Sequence, residues 1–248
     1  MKKFVIVMML CVMSAFAGTI NIAVAANVSY AIDELKAEFV KTHPHITVRV
    51  TLGSSGKLTA QIMHGAPYGL FMSANMLYPQ KLYETQLAIT KPIVYAKGSL
   101  ALFSVKEHHF SKGLELLKEK SIQRIAIANP KTAPYGKATM EALKNAHILQ
   151  DVKSKFIYGE SIAQTISYAV SAADIGIIAK SSLYSSKMTR YKEGKNWSEI
   201  NPKLYTPIAQ GVVLLKYAKN TKEYKAFYDF LLSQKAQMIF KKYGYSVS

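Results

Sequence analysis

Apolar and polar positions follow two periods along this chain, and the switches between them mark its elements. Thr19 to Ala26 (TINIAVAA) is an apolar run of strand length. Ser29 to Thr42 follows with Ile32, Leu35, Ala37, Phe39 and Val40 near a 3.6-residue period, which predicts a helix. Ile46 to Leu52 (ITVRVTL) alternates with period two and predicts a strand. Gly53-Ser54-Ser55-Gly56 then turns into a helix predicted from Lys57 to His64, which Gly65-Ala66-Pro67 stops. Leu70 to Ala74 reads as a short strand and Tyr78 to Gln86 as a helix.

After Gly98 the same grammar begins again. Ser99 to Val105, Ile122 to Ala128, Phe156 to Tyr158 and Ile175 to Ala179 read as strands, with helices at Gly136 to Leu149 and Ile162 to Val170. Pro207 to Leu215 is apolar once more, and Glu223 to Tyr243 predicts a long amphipathic helical region. This β-α-β rhythm predicts an α/β fold of two lobes, each a mainly parallel sheet flanked by helices. No repeat and no low-complexity linker separates the two units, so the chain is expected to cross between them more than once.

The first segment has a different pattern. Lys2 and Lys3 precede an almost unbroken apolar stretch from Phe4 to Ala15, and Ala15-Phe16-Ala17 is a small-residue cleavage signature. It reads as a secretory signal peptide cleaved after Ala17, leaving 231 of the 248 residues. Cys11, the single cysteine, lies inside this stretch behind Leu10, where a lipoprotein box needs a small residue. No later window approaches the ~20 apolar residues of a membrane span. A soluble, exported, periplasmic protein is the expectation.

Composition and charge narrow the function. Half the residues are hydrophobic and 19% charged, enough apolar surface for a folded core. A lone cysteine rules out a disulfide framework and a thiolate metal cluster. Lys and Arg number 32 against 15 Asp and Glu, a formal charge of +17, which falls to +15 when Lys2 and Lys3 leave. Such a balance suits nucleic acid, a membrane surface or small anions. Export and aromatics scattered through apolar segments argue against nucleic acid.

Small polar residues gather at four strand-to-helix junctions: Ala25-Ala26-Asn27, Gly53-Ser54-Ser55-Gly56, Ala133-Pro134-Tyr135-Gly136 and Gly159-Glu160-Ser161-Ile162. Each offers free backbone N–H groups at a helix start, where the helix dipole favours an anion. Each taken alone is equally an ordinary cap or turn. A phosphate-binding loop is excluded, because Thr51 and Leu58 stand where it needs glycine and Ser/Thr. A nucleophile elbow is excluded too, because only two residues separate Gly53 from Gly56. His43, His45, His64, His108, His109 and His147 have no accompanying carboxylate cluster, and no catalytic constellation emerges.

At these junctions the sequence resembles the periplasmic molybdate-binding proteins, the substrate-binding components of molybdate ABC transporters. The resemblance runs from about Asn21 to the C-terminus. It is carried by Ala25-Ala26-Asn27, Gly53 to Leu58 with Ala60-Gln61-Ile62, Gly65-Ala66-Pro67 with Phe71-Met72-Ser73-Ala74, Asn129-Pro130 with Ala133 to Gly136, Ala172 to Gly176, and Tyr205 to Ile208. It implies a type II periplasmic-binding-protein fold with a two-stranded hinge and a tetrahedral oxyanion in the cleft. The expected division is lobe I at 18–98 with 209–248, and lobe II at 99–208.

Position by position, the resemblance implies Asn27 as the first-loop ligand with the Ala26 amide beside it, and Ser55 through its hydroxyl and N–H. Tyr135 and Ile162 follow through their backbone N–H groups, so the Tyr135 side chain need not matter. Ala179 stands where one branch of the family has a tyrosine, and the asparagine at position 27 places the chain with the other branch. Gly69 and Asn75 replace the usual aspartates around the Phe71 strand. Molybdate and tungstate only accept hydrogen bonds at neutral pH, so neutral N–H and O–H donors suit them. The implied protein is a non-enzymatic monomer without cofactor that delivers molybdate or tungstate to a membrane permease. The alternatives are the same fold tuned to sulfate, phosphate or another oxyanion, a secreted α/β hydrolase, and a metal-cation binder using His43, His45, His108 and His109.

Overall fold

The computed structural model describes residues 18–247; the leader read at 1–17 lies outside the described residues. In chain order the strands are β1 (Gly18–Ala25), β2 (Ile46–Gly53), β3 (Leu70–Met72), β4 (Ile93–Gly98), β5 (Leu100–Phe103), β6 (Ile125–Ala128), β7 (Phe156–Gly159), β8 (Ile175–Ala179), β9 (Trp197–Glu199) and β10 (Ile208–Leu214). They form two five-stranded sheets with the orders β2-β1-β3-β10-β4 and β7-β6-β8-β5-β9. Both are built alike. β1 runs parallel to β2 and β3, as β6 does to β7 and β8. One reversed strand completes each sheet: β10 is antiparallel to β3 and β4, and β5 to β8 and β9.

The reversed strand in each sheet is the one that has just crossed from the other. The two crossings lie side by side, at Gly98-Ser99-Leu100 and at Tyr205 to Ile208, and the Leu100 N–H donates to the Tyr205 hydroxyl at 3.0 Å. Ile208 pairs with Gly98 in the ladder. Together they form a two-stranded hinge between two α/β lobes.

The helices are α1 (Ile32–Thr42), α2 (Ser55–Met63), α3 (Leu77–Glu84), α4 (Pro134–Asn145), α5 (Leu149–Val152), α6 (Ile162–Ser171), α7 (Lys222–Leu231) and α8 (Gln234–Lys242). The sheets need cover on both faces because their strands are apolar on both, as in Leu-Ala-Leu-Phe of β5. One face of the first sheet packs on α1, α7 and α8 through Leu35, Phe39, Phe227, Leu231 and Phe240. Its other face packs on α2 and α3 through Leu58, Ile62 and Leu82. Phe39 has no exposed surface and meets Phe227 edge-on at 5.0 Å, so its truncation to alanine would cost about 3–5 kcal/mol. The second sheet is covered by α4 and α5 on one side and α6 on the other.

Four departures from the periodicity have local causes. α1 begins at Ile32 and not Ser29, because Ala26–Val28 first closes a single 3₁₀ turn. α4 begins at Pro134, a residue suited to the first helical position, and ends at Asn145 before His147 takes a left-handed φ of 57°. The C-terminal helical region breaks in two, with the Ser233 hydroxyl capping α8 by accepting the Ala236 N–H at 3.4 Å. The edge strands β4 and β9 and a 3₁₀ stretch at Phe110–Lys118 have no counterpart in the pattern. Among the described residues no helix is long and apolar enough to cross a membrane.

Candidate functional site

The carboxyl ends of β1, β2 and β6 and the start of α6 converge between the lobes. There Ala26, Asn27, Ser55, Tyr135 and Ile162, the five residues that the resemblance implies, line one small cavity. Ala25, Gly53, Ser54, Ala74, Ala133 and Pro134 complete its wall, and no lysine, arginine or carboxylate belongs to it. Asn27, Ser55, Tyr135 and Ile162 are each no more than 3% exposed. Three of the four junctions open α-helices at this point, and the first opens the 3₁₀ turn. Ser55 and Ile162 occupy first helical positions and Tyr135 the second, where a helix supplies no internal acceptor for the amide.

The side chains are held from behind. Ser55 Oγ accepts the Ala74 N–H at 2.9 Å, which leaves its own proton to donate. Ser54 Oγ, also on the wall, is buried with no partner. Asn27 sits in a hydrogen-bonded cluster that sequence reasoning missed. Its Nδ2 donates to Gln210 Oε1 at 2.7 Å and to Tyr245 Oη at 3.1 Å. Tyr245 Oη and Ser181 Oγ donate to the Asn27 carbonyl at 2.8 and 3.2 Å. Tyr95 Oη donates to Gln210 Oε1 at 2.8 Å. The available signal was a lone glutamine inside the apolar strand Ile-Ala-Gln-Gly-Val-Val-Leu of β10, since a buried amide must find partners.

Burial governs the tyrosines around this cluster. It pushes the Tyr245 hydroxyl up to about 12, against the bonds with Ser181, Asn27 and Gln210 that draw it down. Tyr95 and Tyr135 are raised well above 10 for the same reason. All three are therefore neutral hydroxyls at physiological pH. The Tyr135 ring, which the resemblance left without a role, is 1% exposed, and its hydroxyl stands over the hinge glycine Gly98.

The lobes meet around the cavity. The Gly56 N–H donates to the Thr132 carbonyl at 2.9 Å, and Lys57 Nζ reaches Glu160 at 2.5 Å. Lys57 is thus half-exposed and also bridges the cleft. Gly69 and Asn75 each have a physical reason to stand where they do. A Cβ at Gly69 would lie 2.3 Å from the Tyr224 ring, whose hydroxyl accepts the Asn21 N–H. Asn75 Oδ1 accepts from Tyr78 N and Ser73 Oγ, doing a carboxylate's capping work without its charge. Ala179 is buried at the end of β8. Among the described residues no group of three His, Cys, Asp or Glu could hold a metal ion; His43 stacks on Phe39 and His45 is its neighbour.

The family of bacterial extracellular solute-binding proteins matches residues 20–246. The molybdate-binding protein ModA of Azotobacter vinelandii is 33% identical over 94% of this chain and 92% of its own length. That of Rhodobacter capsulatus is 35% identical over 93% and 89%. The solved structure of the Azotobacter vinelandii periplasmic molybdate-binding protein superposes with a TM-score of 0.85 at 29% identity, covering 92% of this chain and 99% of that one. With so much of its length matched, the chain belongs to the bacterial extracellular solute-binding proteins, among the relatives of the molybdate-binding protein ModA.

Proposed function

We propose that this chain is the periplasmic receptor of a molybdate importer, closing on molybdate or tungstate and presenting it to the membrane permease of an ABC transporter. Lobe I at 18–98 with 209–248 and lobe II at 99–208 close as a monomer, after removal of the leader at 1–17. The site acts without a cofactor and performs no reaction. Ser55 supplies a hydroxyl and an amide, Ala26, Tyr135 and Ile162 supply amides, and Asn27 supplies its side chain.

The observation that carries this reading is a buried cavity walled by neutral groups at helix starts. A tetrahedral dianion is held there by N–H and O–H donors and dipoles, with no counter-ion to desolvate. The net positive charge of the chain raises the encounter rate and leaves selection to the donors. The test is a thermal-shift series with molybdate, tungstate, sulfate, phosphate and zinc. Ligand at 100 times its Kd adds ~2.7 kcal/mol, a rise of roughly 5–10 °C for a protein of this size. Molybdate and tungstate are expected to give it. A shift with sulfate or phosphate alone would move the reading to another oxyanion, and a shift with zinc alone would end it.

A further inference from the structure

Gln210 stands outside the cavity wall yet decides what Asn27 can offer. Both hydrogens of Asn27 Nδ2 are engaged, one by Gln210 Oε1 and one by Tyr245 Oη. The amide atom left over is Oδ1, buried and without a partner. Gln210 Nε2 and Tyr135 Oη are likewise buried and unpartnered. Both crowd the same spot, since a Cβ built on Gly98 would lie 2.8 Å from the first and 2.1 Å from the second. Three orphaned polar atoms in one cluster have a common remedy.

If the two amides turn over together, Gln210 Nε2 takes the place of Oε1 and donates to Asn27 Oδ1 and to Tyr95 Oη. Tyr245 Oη, 3.1 Å from the turned atom, gives its proton to Asn27 Oδ1 and leaves the Asn27 carbonyl to Ser181 Oγ at 3.2 Å. Gln210 Oε1 then faces Tyr135 Oη, whose proton it accepts. Tyr95 Oη passes its proton to the Ser73 carbonyl, now 3.5 Å away. Asn27 Nδ2 is left free, with its N–H groups on the side where Oδ1 now stands. The two orientations differ in one chemical respect. One offers an oxyanion an acceptor, the other a donor.

We infer that Gln210 is a specificity-determining positioning residue, which fixes the Asn27 amide with Nδ2 toward the anion and is itself held there by the Tyr135 hydroxyl. The inference rests on the proposed role of Asn27 as an anion ligand. A fully deprotonated dianion such as molybdate selects the donor orientation. An acceptor at the same place favours an anion that still carries a proton, such as hydrogen phosphate. Only a side chain with both a donor and an acceptor permits the donor orientation while satisfying Tyr95 and Tyr135, which explains an amide in an otherwise apolar strand.

The test is a double-substitution cycle read by titration calorimetry with molybdate. Gln210→Glu keeps the acceptor for Tyr95 and Asn27 Nδ2 but, as a carboxylate, cannot donate to Asn27 Oδ1. It should weaken molybdate binding at least tenfold in the parent protein and less than about threefold in the Asn27→Ser background. Phosphate binding should fall less than molybdate binding in the same variant. An equal loss in both backgrounds would mean simple charge repulsion or a packing defect, and would overturn the inference, as would no loss at all. Should Gln210→Glu fold poorly, Gln210→Met removes the donor without adding charge and the same coupling is expected. Absence of molybdate binding by the unsubstituted protein would defeat the proposed function itself; binding there with no coupling between positions 27 and 210 would defeat only this inference.

Discussion

Gly56 in α2 and Thr132 in the loop before α4 are joined across the cleft by a backbone hydrogen bond of 2.9 Å, from the Gly56 N–H to the Thr132 carbonyl. The contact requires a glycine. A Cβ at position 56 would lie 2.9 Å from that same carbonyl oxygen and 3.1 Å from Thr132 Cα. Gly56 is therefore a point where the backbones of the two lobes touch, which its place in a Gly-Ser-Ser-Gly turn does not reveal.

Gly56→Ala should separate closure from folding. At the second position of α2 the preference for alanine over glycine is small, and the nearest atom a methyl group meets within the same lobe, Tyr78 Oη at 2.8 Å, ends a side chain that can turn aside, so the melting temperature without ligand should change little. In the closed form the new methyl group presses on Thr132 at about 1–3 kcal/mol, and molybdate affinity should fall by roughly one to two decades. Calorimetry and a melt on the same preparation check both halves. Unchanged affinity would mean that the bound form does not bring these two residues together.

Ser55→Ala should reduce both binding and stability. The lost hydroxyl removes a hydrogen bond to a charged ligand, ~1.5–3 kcal/mol or about one to two decades of affinity. It also strands the buried Ala74 N–H, which now donates to Ser55 Oγ at 2.9 Å, at a further ~1–3 kcal/mol of stability. Calorimetry with molybdate reads the first effect and a ligand-free melt the second. Affinity unaltered by the substitution would remove Ser55 from the site.

The contrast between Ser55 and Gln210 shows what the sequence makes legible. Strands such as Ile175–Ala179 and the junctions around Ser55 announce themselves through local signals, an apolar run or a Gly-Ser cluster at an element boundary. β4 and β9 do not, because neither has an apolar run: β4 buries only Tyr95 and Ala96 of its six residues, and β9 is three residues long with none fully buried. Gln210 meets partners 115 and 183 positions away, a proximity created by the order β1-β3-β10-β4. Tyr135 behaves similarly: its backbone position is visible as a helix start, but the contact of its hydroxyl with Gly98 exists only once the lobes meet.

That contact supplies a third prediction. A methyl group at Gly98 would fall 2.1 Å from Tyr135 Oη and 3.1 Å from its Cζ. Gly98→Ala should destabilise the protein by ~1–3 kcal/mol, a drop of roughly 2–10 °C in melting temperature. Adding Tyr135→Phe removes the nearer atom and should recover much of that loss, while Tyr135→Phe alone should cost about 0.5–1.5 kcal/mol, the hydrogen bond to Gln210 Oε1 that the inferred amide orientation gives its hydroxyl. Melting curves of the two single variants and the double variant test this. Losses that simply add would show that the crowding is not at the hydroxyl.

Alkaline pH should destabilise the protein through its buried tyrosines. Tyr245 is raised by burial from 10.0 to about 12, so between those values the folded form keeps a proton that the unfolded chain has released. Stability is then complete below about pH 10 and falls as pH rises toward 12, by up to ~3 kcal/mol for this group, with Tyr95 and Tyr135 shifted in the same direction. Molybdate affinity should be flat between about pH 7 and 9, because none of these hydroxyls titrates there. Denaturant melts from pH 8 to 12 and calorimetry across the lower range provide the check.

The ion pair between Lys57 and Glu160 makes the opposite kind of prediction. It spans the cleft at 2.5 Å, but its side chains are 53% and 57% exposed, so water and salt screen it and its contribution is at most ~1 kcal/mol. Glu160→Gln removes a carboxylate at the mouth of an anion site. The lost bridge loosens closure slightly, while the freed Lys57 ammonium draws the dianion in, and the two changes oppose each other. Molybdate affinity should stay within about fivefold of the parent, with a faster association rate at low salt that converges with the parent's above about 0.5 M salt, where the screening length is only a few ångströms. Stopped-flow association at several ionic strengths measures this. A loss of affinity beyond tenfold would make the ion pair a principal closure contact, ahead of the Gly56–Thr132 hydrogen bond.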